Sequence, residues 1–451
     1  MRAFFAVTFG ALLLLSVVAW QIEPRPPAGK IPLVWVSDDN PARRGQIALF
    51  NKLNPKYNLR LDPLDPNAGM EKVILQCLAG VGPDLFDSWG PSQLDSYVRS
   101  GIAWDITEEL ARRGIDQARE VWPAALPATT RYGRVYAFPT NIAADAIWFN
   151  KDLFDKAGEP YPKGAWTWEE FLPVAKRLTL RDERGRIKQF GFLCDWSYWP
   201  QFVMQWGGRV YTPDGARCVV DSPEAIAAVQ FMHDLMYKHH VMPTPVDEAT
   251  MATQGGWGSG IISYFGTGRG AMAMGGRWWL CTLRDYGGLN LGAVESPHTK
   301  LRCSLAYARA TLVNRYSPRR EQALAFLVYE YGRDYNELIN RQADAVAAVI
   351  RYNYTPQFLH NPEHPEEDYN DVWREVAKRA RPGDWSPFIN GQSASRILDK
   401  QMDLVKNDQK PVRDAMRDAA RLVNEEIAKT LETDPSLRVR YYRLTGRQRP
   451  E

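Results

Sequence analysis

Residues 31–90 read IPLVWVSDDN PARRGQIALF NKLNPKYNLR LDPLDPNAGM EKVILQCLAG VGPDLFDSWG, and this stretch decides the fold. Leu33 to Val36 is a short apolar run suited to a buried strand. Gln46 to Leu53 has a helical pattern that stops at Asn54-Pro55. Tyr57 to Leu61 alternates as a strand does. Met70, Val73, Ile74, Cys77 and Leu78 fall on one helical face, with Gly80 as the stop. Asp84 to Asp87 returns to strand. The order β-α-β-α-β predicts a parallel sheet with right-handed crossovers. Ligands of such sheets bind outside the carboxyl ends of the strands. Here those ends are Ser37-Asp38-Asp39-Asn40 and Ser88-Trp89-Gly90. Asp38, Asp39 and Trp89 are therefore candidate ligand contacts. The competing role for the acidic stretch is a turn or N-cap ahead of Pro41.

Before this stretch, Ala3 to Trp20 is uncharged and mostly apolar behind Met1-Arg2. The run is long for a signal peptide and just long enough for a membrane span. Val17-x-Ala19 fits a cleavage site, and no Cys follows to carry a lipid. Residues 1–29 thus read as a cleaved signal or a retained anchor plus a Pro-rich tether, and either places the folded part outside the cytoplasm.

A chain of 451 residues is too long for one core. Its net charge of +3, with no long Lys/Arg run, argues against nucleic acid. Sixteen Trp exceed what cores require and suggest surfaces that bind by stacking. The five Cys are odd in number and widely spaced, so no zinc site is expected, and the pairings Cys194–Cys218 and Cys281–Cys303 stay open. His233, His239 and His240 lack a matching carboxylate pattern and read as a wet helix end. No cofactor is expected. Catalysis finds no anchor either: there is no G-x-S-x-G elbow and no H-E-x-x-H, and Gly266 to Gly270 lacks the Gly-Lys-Ser/Thr end of a phosphate loop.

Further helix starts are marked at Thr167, with capping-box spacing to Glu170, and at Ser222-Pro223 and Ser317-Pro318. His360 to Asp368 is a polar, Pro-broken loop.

In order along the chain stand Val34-Trp35-Val36, Gly82-Pro83-Asp84-Leu85, Tyr136-Ala137-Phe138-Pro139, Trp148 to Phe154 (WFNKDLF), Thr167 to Phe171 (TWEEF), Gly207-Gly208, and Phe265 to Met272 with Gly275-Gly276-Arg277-Trp278. Together they resemble the family-1 extracellular solute-binding proteins, the group that includes the maltose-binding protein. Phe149 departs from the family's usual Tyr, and His360 to Pro382 is longer and more polar than its pattern. The resemblance implies an α/β, two-lobed periplasmic-binding-protein fold (type II-like). The lobes would comprise residues 31–141 with 304–351, and 146–298 with 356–447. Crossovers would fall near Asn141 to Ala146, His298 to Ser304 and Arg351 to Pro356, and the cleft would close on ligand. It also implies a monomer that captures a sugar and passes it to an ABC-type membrane importer, with no catalysis.

A sugar site needs flat aromatic faces and polar groups for the hydroxyl rim. Trp278 stands where the resemblance puts a stacking ring, and Arg277 beside it could fork onto hydroxyls or make a surface salt bridge. Asn141 and Asp145 follow Pro139 near a crossover. In Asp195 to Trp199 (DWSYW), Trp196 and Trp199 are favoured over Tyr198. Trp257 sits in a Gly-rich loop, and Trp385 with Asn390-Gly391-Gln392 precedes the last long helices. Core packing is the competing role for every Trp. Polyamine, opine, phosphate or iron binding on the same fold, a glycoside hydrolase, and a structural surface protein are the alternative readings.

Overall fold

The computed structural model describes residues 8–15, 27–63, 69–251 and 260–447. Trp257 and most of the N-terminal apolar run lie outside the described residues. No helix among the described residues is long and apolar enough to cross a membrane.

The opening β-α-β-α-β order is present as β1 (Ile31–Ser37), α1 (Ala42–Leu53), β2 (Tyr57–Pro63), α2 (Met70–Leu78) and β3 (Leu85–Ser88), followed by α3 (Pro91–Arg99). β1 is central, pairing in parallel with β2 through Leu33↔Leu59 and with β3 through Trp35↔Leu85. Parallel register brings the polar ends of β1 and β3 to one edge. Helix α1 starts four residues earlier than its apolar pattern, because Asn40 Oδ1 accepts the Ala42 N–H at 2.8 Å. In α2 the buried stripe is narrower than expected. Met70, Val73 and Cys77 are buried, whereas Leu78 is 54% exposed.

The spine of the molecule is β4 (Ala137–Asn150), a strand of 14 residues. Around it lie β5 (Ile187–Leu193), β6 (Gly270–Gly276), β7 (Leu291–Glu295) and β8 (Leu305–Val313). The principal strand order is β2-β1-β3-β8-β4-β6-β5. From Ala137 to Ala144, β4 pairs antiparallel with β8; from Asp145 to Phe149 it pairs antiparallel with β6. The strand thus changes partner between Ala144 and Asp145 and carries the backbone from one lobe into the other.

Each lobe has its own apolar packing. In the first, Leu33, Trp35, Phe50 and Leu85 join Phe326 and Leu327 on one face of the sheet, while Val36, Val73, Phe86 and Tyr97 cover the other. In the second, Trp168 stacks on Phe202 with ring centroids 4.7 Å apart. The last three helices, α4 (Gly391–Lys406), α5 (Val412–Thr433) and α6 (Pro435–Thr445), pack on that core through Leu398, Met402, Val423 and Leu437. Burying each such side chain contributes roughly 1.5–3 kcal/mol.

The Thr167 capping box is complete, its Oγ1 accepting the Glu170 N–H and Glu170 accepting the Thr167 N–H. Ser222 caps its helix by accepting from Ala225 N–H. Ser317 Oγ accepts the Arg319 N–H at 3.0 Å, as expected of a cap, while its hydroxyl donates to Asp84 at 2.5 Å; the regular helix begins at Arg320. All five cysteines are free thiols.

Candidate functional site

The carboxyl ends of β1 and β3 open onto a cavity of about 1190 Å³ between the lobes. Asp38, Asp39, Asn40, Trp89, Asn141, Asp145, Trp199, Trp278 and Trp385 all line it, so residues 347 positions apart in sequence share one wall system. Trp89 comes from the first lobe; Trp199, Trp278 and Trp385 come from the second.

The floor on the first lobe is a lattice of buried charge. The Arg43 guanidinium bonds Asp38 at 2.8 Å and Asp344 at 2.5 Å, and Gln46 Nε2 donates to Asp344 at 2.9 Å. Arg309 donates to Asp87 at 3.1 Å and to the Tyr335 hydroxyl at 3.0 Å. Asp87 also accepts from Trp35 Nε1, Ser37 Oγ and Thr311 Oγ1. Burial alone would raise the Asp344 pKa, but Arg43 and Arg309 outweigh it and hold the carboxyl below its usual range. These pairs are desolvated and bonded to one another, with Arg309 Nε left unpartnered among the described residues, so they present a fixed surface to whatever enters. Asn141 is buried and donates to the Asp344 carbonyl at 3.1 Å, while Asp39 points to solvent.

The second lobe supplies the rings. Gly276 lets Trp278 fold back against the strand end: a Cβ there would lie 2.5 Å from Trp278 Cδ1 and 3.6 Å from Asp145 Oδ1. Asp145 is 1% exposed and sits where β4 changes partner. Burial raises its pKa to about 7, offset in part by the Tyr198 hydroxyl. Trp385 lies against Arg131 of the first lobe, with the guanidinium 4.4 Å from the ring centroid.

Two expected contacts are placed elsewhere. Arg277 is turned away from the cavity and is 1% exposed; it donates to Asn370 Oδ1 at 2.9 Å, the Ala345 carbonyl at 3.0 Å and the Asn340 carbonyl at 2.9 Å. A guanidinium with that many acceptors is a clamp inside the fold. Trp196 belongs to the second lobe's core, and it is Tyr198, the ring not favoured, that lines the cavity with Trp199. The 3₁₀ turn at Trp196–Tyr198 rotates successive side chains differently from an α-helix, which reverses the choice. Asn390 caps α4, accepting from Gln392 and Ser393 N–H, and of that trio Gly391 reaches the cavity.

Tyr307, Arg309, Arg43, Asp344, Arg209 and Asp384 also line the cavity and were not anticipated. One signal was available: Tyr307-x-Arg309-x-Thr311 alternates with apolar residues along β8, placing three polar side chains on one face. Among the described residues one trio could approach a metal, His364, Glu366 and Glu367, but Glu367 is held by Arg284 through two bonds of 2.7 and 3.0 Å.

Solved structures share this architecture. An ABC substrate-binding protein from Listeria monocytogenes in complex with cycloalternan superposes with a TM-score of 0.77 at 20% identity, covering 88% of this chain and 98% of that one. The maltose/maltodextrin-binding domain from Bdellovibrio bacteriovorus bound to maltotriose gives 0.72 at 15% identity, over 88% and 100%. In sequence, an arabinooligosaccharide-binding protein from Halalkalibacterium halodurans is 28% identical over 109 residues, which is 24% of each chain. That matched stretch spans about a quarter of the relative's length. Residues 37–337 match the family model of the bacterial extracellular solute-binding proteins. With two lobes joined by β4 around a large cleft, and two thirds of its length within that model, the chain belongs to the bacterial extracellular solute-binding protein family.

Proposed function

We propose that this chain captures a saccharide between its lobes and delivers it, uncleaved, to an ABC-type importer in the membrane. The observation that carries this reading is the cavity wall. Indoles from both lobes, Trp89, Trp199, Trp278 and Trp385, stand among carboxylates and amides. Sugar rings present apolar C–H faces to such rings and hydroxyls to such acceptors. A volume of about 1190 Å³ exceeds the usual roughly 300–1,000 Å³ of small-ligand sites and suits more than one sugar ring. The ligands bound in the similar structures, cycloalternan and maltotriose among them, support the same class. The proposal covers Asp38, Asp39, Asn141, Asp145, Trp89, Trp199 and Trp278 as contacts. It also covers lobe boundaries at Asn141 to Ala146 within β4, at His298 to Ser304 before β8 and at Arg351 to Pro356, together with monomeric action and a signal or anchor role for the N-terminal apolar run.

The test is a thermal-shift screen of the full chain against mono- and oligosaccharides, with polyamines, phosphate and amino acids alongside. A ligand at about a hundred times its Kd adds about 2.7 kcal/mol, a shift of a few degrees. A saccharide shift with the sugar recovered intact is the expected result. A shift by another class alone would end the saccharide assignment, and cleavage of the sugar would end the transport reading.

A further inference from the structure

The cavity lining carries six carboxylates and, as cations, three guanidiniums. Each guanidinium is already engaged: Arg43 by Asp38 and Asp344, Arg309 by Asp87, and Arg209 by Asp384. Asp39, Asp145 and Asp399 make no ion pair among the described residues. The charge left over on the lining is negative; Asp39 and Asp399 are exposed, and Asp145 alone of the three is buried.

Asp145 is distinct among these three. It is 1% exposed, it lines the cavity, and its Oδ2 has no hydrogen-bond partner among the described residues. The titratable groups around it are Tyr198 on the 3₁₀ turn, Tyr307 on β8 and Cys194 at the end of β5. Each of these is kept neutral by burial that pushes its pKa up, and Asp195 nearby adds further negative charge. β6 contributes Gly276 and no ionisable side chain at this point. The Ser296 and Ser304 hydroxyls, which could have served, donate instead to the Asp145 carbonyl at 2.9 and 2.6 Å. Neutral hydroxyl and thiol groups surround the carboxyl and the Tyr198 hydroxyl bonds it, yet Oδ2 keeps no partner and no cation is provided among the described residues. An isolated carboxylate in such a place is costly unless a charged donor reaches it. An ammonium brings three N–H donors and a compensating charge, and an indole face beside it is a favourable second neighbour. Trp278 is that neighbour, since both side chains border the space above Gly276.

Resting on the saccharide reading, we propose that Asp145 is the specificity-determining residue for a saccharide bearing a protonated amino group, the ammonium docking on Oδ2 beside Trp278 while the sugar rings stack on the indoles of the cleft. A proton held by Asp145 in the empty cleft leaves as the ammonium arrives, so capture of the amine strengthens as pH rises towards about 7.

The experiment is calorimetric titration of the full chain with matched disaccharides and trisaccharides of α- and β-linkage. Each is offered as the glucosamine form, its N-acetylated form and its glucose form, with a polyamine as control. The glucosamine form is expected to bind roughly tenfold or more tightly than its neutral counterparts, the range for a charged hydrogen bond. Asp145→Asn should collapse that ratio to near one. If that variant misfolds, the pH dependence of the wild-type ratio carries the test: it should grow from acid towards neutral pH. Neutral sugars binding as well as or better than the amine, a preference that survives Asp145→Asn, or a ratio flat with pH would each overturn the proposal and leave the saccharide reading standing. Binding of the polyamine with no saccharide would overturn both.

Discussion

Arg99 on α3 and Asp434 at the head of α6 meet at 2.7 Å, tying the first lobe to the last helix of the chain. Beside them Arg440 donates to the Tyr132 hydroxyl at 3.1 Å and packs on its ring at 5.1 Å. Gly391 leaves no room for a Cβ against the Ser92 hydroxyl. The lobes thus meet both at the cavity lining, through Ser92 and Gly391, and outside it, through Arg99–Asp434 and Arg440–Tyr132.

Arg99→Met should therefore weaken ligand binding without altering the cavity, and it keeps the cap that Asp434 gives α6 through the Ser436 and Leu437 N–H. The pair is partly exposed, so the loss is about 1 kcal/mol or less, a few-fold in Kd. Salt screens such pairs, and the difference between wild type and variant should shrink at high ionic strength. Titration calorimetry at two salt concentrations checks both points, and an equal effect at each would contradict the electrostatic origin.

Arg277→Leu should destabilise the fold and spare the site. Three acceptors, on Asn370, Ala345 and Asn340, would lose their buried donor. Each orphaned acceptor costs about 1–3 kcal/mol, enough to lower Tm by several degrees. Ligand affinity of the folded fraction should stay within a few-fold. A protein of normal Tm that no longer binds would instead place Arg277 in ligand recognition.

Gly276→Ala should drive the Trp278 ring from its position, because the new Cβ would lie 2.5 Å from its Cδ1. Overpacking of this kind costs roughly 1–3 kcal/mol, and here it falls on a proposed stacking ring. Binding should fall by at least tenfold, with Trp278→Ala as severe or worse. An unchanged Kd in both variants would remove Trp278 from the site.

Stability of the ligand-free protein should depend on Asp145. Its pKa is raised from the ordinary carboxylate range to about 7 by burial, so the folded state favours the neutral acid. The stabilisation this gives is fully present below about pH 4 and is lost as pH rises through about 7, a change on the order of 4 kcal/mol. Asp145→Asn should flatten that part of the stability–pH curve. Denaturant titrations across this range decide the matter, and an unchanged slope in the variant would refute the assignment.

Local patterns carried the fold well. The apolar run at Leu33–Val36, the Pro-Asp strand start at Asp84 and the Thr167 capping box each report a physical requirement met within a few residues, and each lies where it was read. The site was legible where a strand end fixed it, as with Asp38 and Trp89, or where glycine made room, as with Trp278. It was illegible where the decision is tertiary. Nothing near Arg277 announces the acceptors on Asn370 and Asn340 that turn it inward. Asp344 joins the floor only because Arg43, 301 positions away, reaches it. Ser317 caps as its sequence suggests, but nothing local announces its bond to Asp84, 233 positions away.

The unbroken run of β4 has a mechanical meaning. A ladder that holds β8 along one half and β6 along the other cannot let the lobes slide past each other without rupturing hydrogen bonds in series. Twisting and bending break none of them. The strand is one of the connections between the halves, and bending or twisting at Ala144–Asp145 would let them rotate with both ladders intact. A probe anywhere along the rim would then report the same coordinate, and the energy of a contact made at that pivot would be felt at full leverage at the mouth.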